Sequence, residues 1–329
     1  MVRCLALAEE LHANHDVAVS FAMRSSLLGA QLVQRRAYPI LAPPDSDILN
    51  QEAWLSDCIL KSEAQILIAD VRDDLSRTAL DALAKQGTVI ALLDDLSDRR
   101  LAADFVFYPP VPQLERVDWS GFRGKLCIGW EWIVLRPQFA HSVVPGDKSK
   151  FSLLIAMGGS DPAGLTLKAV RALDRLDDGF ESVIIVGAGF CHGQALQELL
   201  GQTRRRFAVR QDVSEMSAVM AEASVAICSF GMTAYELAAT GVPSVYVCLT
   251  DDHAQSASAL AAAGMGISAG VNDQDVETRL GRAAKKLLAD RNVRTQMSLR
   301  AGELVDGRGA SRIAELLVSS QAARFSSRQ

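Results

Sequence analysis

The chain has 329 residues, of which 49% are hydrophobic and 22% charged, with 23 glycines and 10 prolines, a composition that excludes a disordered or fibrous protein. Its net charge of −5 comes without a basic stripe or Arg-rich arm, so no nucleic-acid partner is expected and an anionic ligand must be met locally. A chain of this length exceeds the usual single core and predicts two domains of about 150 residues each. No long uncharged apolar run is present, which predicts a cytoplasmic protein without a transmembrane segment. The six cysteines are scattered, without a CxxC pair or a Cys/His cluster, so reduced thiols are expected and neither metal nor other cofactor is.

Cys4, Leu7, Ala8 and Leu11 recur at helical spacing, so the chain opens with an amphipathic helix. Short β-rich runs then alternate with helical stretches: Val17–Met23 and Leu27–Gln34, Tyr38–Leu41 and Gln51–Leu60, Ile66–Asp70 and Leu75–Lys85, then Val89–Asp94. Such alternation builds βαβ units and a parallel sheet, in which a strand should precede the first helix; none does here. From Pro109 the periodicity lapses, ending in the linker-like Val144–Lys150. The division expected is 1–148 and 149–329. A second alternating series follows, with strands at Phe151–Met157, Val183–Val186, Phe207–Arg210, Val225–Cys228 and Ser244–Cys248 and helices at Val276–Ala289 and Ala310–Ser319. Residues 322–329 are expected to fray.

Three turns of the second series carry the candidate chemistry. Gly158, Gly159 and Ser160 follow its first strand and lead into a helix, where glycine lets the backbone approach an anion and a helix N-terminus offers unpaired N–H groups. A plain left-handed turn capped by Ser or Asp is the alternative. Ser229, Gly231, Met232 and Thr233 form a second such turn, with Glu236 about one helical turn further, placed to accept the ribose hydroxyls of a nucleotide or merely to favour the helix dipole. The third turn holds Asp252, His253 and Gln255, at the carboxyl sheet edge where open α/β folds bind ligands, although Thr250 or Asp251 there could simply cap a helix. In the first series Asp70, Arg72, Asp94 and Asp95 end strands, either as sugar-side contacts or as solvated caps.

Together, Arg3–Ala8, Asp94-Asp95, Gly129–Phe139 with Leu135-Arg136-Pro137-Gln138-Phe139, Met157–Pro162 and Gly231–Glu236 resemble the UDP-sugar hydrolases of pseudaminic-acid biosynthesis, grouped with spore-coat-polysaccharide and flagellin-modification proteins. The resemblance implies a GT-B-like α/β fold, two Rossmann-like domains facing across a cleft, the nucleotide diphosphate of a UDP-sugar held by the second, and water attacking the anomeric carbon. It also implies a strand and a Gly-x-Gly-His turn ahead of the Arg3–Ala8 helix, the histidine handling the attacking water. Met1 stands just after that position, so the catalytic histidine is expected upstream, the first domain incomplete and turnover impaired. An internal start codon and a natural truncation both account for this, the former favoured because a lost internal strand exposes two sheet edges. Asp252-His253-Ala254-Gln255 replaces the family's Asn-Gln pair and Asp70-Val71-Arg72 its Asp-x-Tyr. Hydrolysis is therefore the leading expectation, with a GT-B glycosyltransferase using a UDP-sugar donor and a noncatalytic nucleotide-sugar-binding partner as alternatives.

Overall fold

The computed structural model describes residues 1–23, 27–43, 51–70, 75–140, 151–177 and 179–326. By internal contacts the chain divides into two units, one of residues 1–110, 114–137 and 308–329, the other of 111–113 and 138–307.

The first unit begins with α1 (Val2–His15), β1 (Phe21–Ala22), α2 (Leu27–Gln34), β2 (Ile40–Leu41), α3 (Gln51–Ser62) and β3 (Ile66–Ala69), and continues through α4 (Arg77–Gln86), β4 (Val89–Leu93), β5 (Phe105–Tyr108) and β6 (Lys125–Ile128). Among the described residues β1 pairs with β2 alone, while β3, β4, β5 and β6 form a separate sheet in that order, every pairing parallel. Local chemistry sets the boundaries of α4: the Ser76 hydroxyl accepts the Ala79 amide at 3.1 Å, and Gly87, at φ 103°, ends the helix in a left-handed conformation. All five residues of β4 are buried, as its uninterrupted apolar run requires of a strand covered on both faces.

The second unit is a doubly wound sheet. Its elements are β7 (Ser152–Ala156), α5 (Leu165–Asp174), β8 (Glu181–Val186), α6 (Gly193–Leu200), β9 (Phe207–Gln211), α7 (Met216–Glu222), β10 (Val225–Ser229), α8 (Met232–Ala239), β11 (Ser244–Cys248), α9 (Asp251–Ala262), β12 (Gly266–Val271), α10 (Val276–Ala289) and α11 (Arg291–Leu304). The strand order is β12-β11-β10-β7-β8-β9, all parallel. Succession moves outward from β7 in one direction and then, from β10, in the other, so the topological switch point lies between β7 and β10. Leu153, Ile155, Val225, Ile227, Val245 and Val247 meet Leu165, Leu173, Leu280 and Leu287 in one core.

The last helix, α12 (Gly309–Ser326), returns to the first unit, where Ala310, Ile313 and Leu317 pack with Ala6, Leu7, Val89 and Ala91. A single cut near residue 148 therefore misses the final segment. Of the residues expected to fray, 322–326 continue α12, where Arg324 donates to the Thr88 carbonyl at 3.2 Å and pairs with Asp104, and 327–329 lie outside the described residues. Other departures are local. β1 and β2 are two residues each, shorter than the runs Val17–Met23 and Tyr38–Leu41 suggest, and β6 lies in the stretch expected to lack periodicity. Among the described residues no helix is long and apolar enough to cross a membrane.

Candidate functional site

β7, β10 and β11 are neighbours in the second unit's sheet, so the turns that follow them emerge side by side at its carboxyl edge. Gly158, Gly159 and Ser160 are exposed there, with Gly158 at φ 86°, a conformation other residues adopt only with strain. A methyl group on Gly158 would lie 3.7 Å from Ser229 Oγ, which brings the turns after β7 and β10 together across the switch point.

A fourth turn, Gly187-Ala188-Gly189, follows β8 and was not singled out from sequence, although a Gly-x-Gly directly after the Val183–Val186 run was there to be read. It sits so close to the first turn that a Cβ on Gly187 would fall 2.6 Å from the Gly159 carbonyl oxygen and 2.8 Å from its Cα. One on Gly189 would touch the Ser160 Cβ at 3.4 Å. The exposed Gly158–Ser160 backbone thus rests on a second glycine turn that fixes its height above the sheet.

The two helix N-termini at this edge differ. At α5, buried Asp161 accepts the Leu165 amide at 2.9 Å and the Thr166 amide at 2.8 Å, so these N–H groups are spent inside the protein. The expectation that this helix end offers open amides is thereby corrected: what remains for an anion is the Gly158–Ser160 backbone and the Ser160 hydroxyl. At α8 the cap is Gly231, which has no side chain to accept an amide, and the first turn carries Met232 and Thr233 at the positive end of the helix dipole. Glu236 follows one turn later, buried at 6% exposure. Burial, with the added charges of Cys248 and Glu236, pushes the Cys228 thiol well above its ordinary range, so Cys228 stays a neutral thiol under this loop.

At α9 the Thr250 hydroxyl accepts the His253 amide at 3.1 Å, so Thr250 is the cap. Asp252 is engaged by Gln113, whose Nε2 donates to its Oδ1 at 2.9 Å and its carbonyl at 3.0 Å and also reaches Ser256 Oγ at 2.9 Å. The His253 ring lies 6.0 Å from that of Phe230, in the neighbouring turn, and its Nδ1 is buried without a hydrogen-bond partner among the described residues, as is Gln255 Oε1. Two unsatisfied polar atoms beside one loop are unusual in a folded interior.

The candidates of the first unit are drawn into the fold itself. Arg3 donates to Asp70 through Nη2 at 2.6 Å and Nε at 3.2 Å and also pairs with Asp94. Burial works to raise the Asp70 carboxyl, but the hydrogen bonds and charge of Arg3 outweigh it and hold it below its ordinary value. Asp95 is buried against Arg99, Oδ2 to Nε at 2.6 Å, and its Oδ1 accepts the Ser97 amide at 2.9 Å, which makes it a structural ion pair and not a solvated cap. Arg72 lies outside the described residues. No cluster of three metal-ligating side chains occurs among the described residues.

Two Rossmann-like α/β units, the second with glycine turns at its switch point, define the class of GT-B nucleotide-sugar proteins. The fold matches that of Acinetobacter baumannii MurG with a TM-score of 0.73 at 17% identity, over 97% of this chain and 95% of that one. Residues 153–317 match the glycosyltransferase family 28 C-terminal domain, and the chain belongs to that family. Among curated proteins it is similar to the spore coat polysaccharide biosynthesis protein SpsG of Bacillus subtilis, 23% identical over 197 residues, 59% of this chain and 58% of that protein. It is also similar to the UDP-N-acetylglucosamine--N-acetylmuramyl-(pentapeptide) pyrophosphoryl-undecaprenol N-acetylglucosamine transferase of Cellvibrio japonicus, 30% identical over 175 residues, 50% of this chain and 47% of that one. The matches thus span about half the length of these curated relatives.

Proposed function

We propose that this chain is a glycosyltransferase that takes its sugar from a UDP-sugar, with the diphosphate held by the second unit. The observation that carries this is the pair of turns at the switch point: exposed Gly158–Ser160 backbone on one side, and on the other a helix capped by glycine alone at Gly231. Backbone amides and a helix N-terminus stabilise phosphate oxygens without a metal. Glu236, one turn into α8, accepts the ribose hydroxyls, and Ser229 and Thr233 add hydroxyl donors beside the phosphates. His253, Gln255 and Asp252 face the sugar. In the transfer the acceptor oxygen bonds to the anomeric carbon as the bond to the diphosphate breaks, and the acceptor hydroxyl gives up its proton. The loops act by stabilising the charge that grows on the departing diphosphate. The family 28 match and the UDP-linked substrate named in the Cellvibrio relative support a UDP-sugar donor.

Transfer to water is the second reading, supported by the likeness to SpsG over 59% of the chain. The same donor site serves both, so the products separate them: a hydrolase releases free sugar without acceptor, a transferase only a glycosylated acceptor. The donor site itself is tested by calorimetric titration with UDP, ADP and GDP. UDP should bind at least tenfold more tightly than the others, and Glu236→Gln should weaken it by about tenfold or more, the loss of a charged hydrogen bond. Equal affinities of the wild type for all three nucleotides would contradict the assignment of UDP.

A further inference from the structure

Gln113 lies in a short 3-10 turn, Pro112–Arg116, between β5 and β6, yet residues 111–113 group with the second unit while Pro110 and Leu114 group with the first. Its partner is the start of α9. Nε2 donates to the Asp252 carbonyl at 3.0 Å, to Asp252 Oδ1 at 2.9 Å and to Ser256 Oγ at 2.9 Å, so two N–H groups serve three oxygens. The opposite amide orientation would set oxygen against the carbonyl and carboxylate oxygens of Asp252, which fixes Nε2 as the atom that faces the helix. Asp252 and Ser256 are one turn apart, so the amide sits on one face of α9, with His253 and Gln255 flanking that face on either side.

Packing alone does not account for a glutamine at this position. Gln113 is 8% exposed, and its Oε1 is buried without a hydrogen-bond partner among the described residues, an arrangement that costs stability. Leucine would fill a similar space without that oxygen. What only the amide supplies is the grip on Asp252. Asp252 is exposed at the carboxyl edge of the sheet, where a free carboxylate would turn among several rotamers and lose that freedom on meeting a ligand. Held at Oδ1, it has lost that freedom before a ligand arrives, and such preorganisation strengthens binding.

We propose, on the reading of the second unit as a UDP-sugar donor site, that Gln113 is a positioning residue for the sugar. By holding Asp252 Oδ1 and the start of α9, it leaves the second carboxylate oxygen to accept a hydroxyl or N–H of the sugar and makes that contact rigid. On the same reading the nucleotide meets Gly158–Ser160 and Gly231–Thr233, so Gln113 governs the affinity for the sugar and not that for UDP.

The test titrates the full chain with UDP, UDP-glucose and UDP-N-acetylglucosamine in a calorimeter and reads the ratio of each UDP-sugar's affinity to that of UDP. Gln113→Leu should lower this ratio about tenfold for the preferred sugar while the affinity for UDP changes less than twofold, which also shows that the second unit has folded. Gln113→Glu keeps the shape but sets a carboxylate against two oxygens of Asp252, and should lower the ratio further. In an Asp252→Ala background, where nothing is left to position, Gln113→Leu should change the ratio less than twofold. An unchanged ratio in Gln113→Leu would overturn the proposal, as would an equal loss of UDP and UDP-sugar affinity, which marks a merely structural residue. A further tenfold fall in the Asp252→Ala background would overturn it too, because Gln113 would then not act through Asp252. A wild type that binds no UDP would overturn the donor-site reading itself, and this one with it.

Discussion

Asp161 shows how one residue can decide what a loop is able to do. By accepting two amides at the start of α5, it turns that helix end inward and leaves the glycines before it as the exposed surface. Asp161→Ala would leave both amides buried without a partner, and we expect a loss of about 2 kcal/mol in chemical denaturation, with UDP affinity falling as the turn loosens. Asp161→Asn keeps one acceptor and should recover part of the stability. Asp70 makes a second, pH-dependent case. Its carboxyl is lowered in the folded chain by Arg3, so its contribution is complete above the ordinary carboxylate value of about 4 and is lost as pH falls through the folded value. The stability difference between wild type and Asp70→Asn should therefore be constant from neutral pH down to about 5, and shrink on further acidification. Denaturant titrations across that range would show it, and a difference that grew toward acid would reverse the sign assigned to this pair.

At the scale of elements, the site is a stack of turns. Gly187 has its Cα against the Gly159 backbone, and a Cβ there, 2.6 Å from a carbonyl oxygen, has no flexible side chain to push aside. Gly187→Ala should move the Gly158–Ser160 turn and weaken UDP binding about tenfold, with a smaller effect on global stability, because the strain falls on an exposed loop. An unchanged affinity in calorimetry would mean that the turn does not contact the ligand. The second unit's strands were legible in the sequence because Leu153–Ala156, Val225–Cys228 and Val245–Cys248 are continuous apolar runs, each closed by a turn. β6 was not, since Lys125-Leu126-Cys127-Ile128 is an edge strand with all but Cys127 exposed, and nothing in its pattern requires burial. The glycine turns could be read as anion sites one by one, but not the division of labour between α5 and α8. That depends on whether a nearby side chain consumes the amides, as Asp161 does and Gly231 cannot. Gln113 was invisible for another reason: it meets Asp252 across 139 residues of chain, and no local period encodes such a contact.

At the scale of the molecule, chain order and unit membership part company at residue 308. α11, the last helix of the second unit, ends at Leu304, and the following turn carries Gly307 at φ 73° before α12 packs in the first unit. Ile313 is fully buried there, with Leu7, Val89 and Ala91 in the same cluster, so a residue near the carboxyl terminus completes a core begun by the first helix. Such closure is paid in loop entropy, which grows only slowly with the length of chain enclosed, and is returned as buried apolar surface. Ile313→Ala should cost about 2–4 kcal/mol, the usual range for a large-to-small change in a well-packed core. The loss should be confined to one unit: amides of β4 should exchange faster while those of β10 keep their protection and UDP still binds. Faster exchange in β10 with β4 unchanged would instead assign α12 to the second unit, the division that a cut near residue 148 implies.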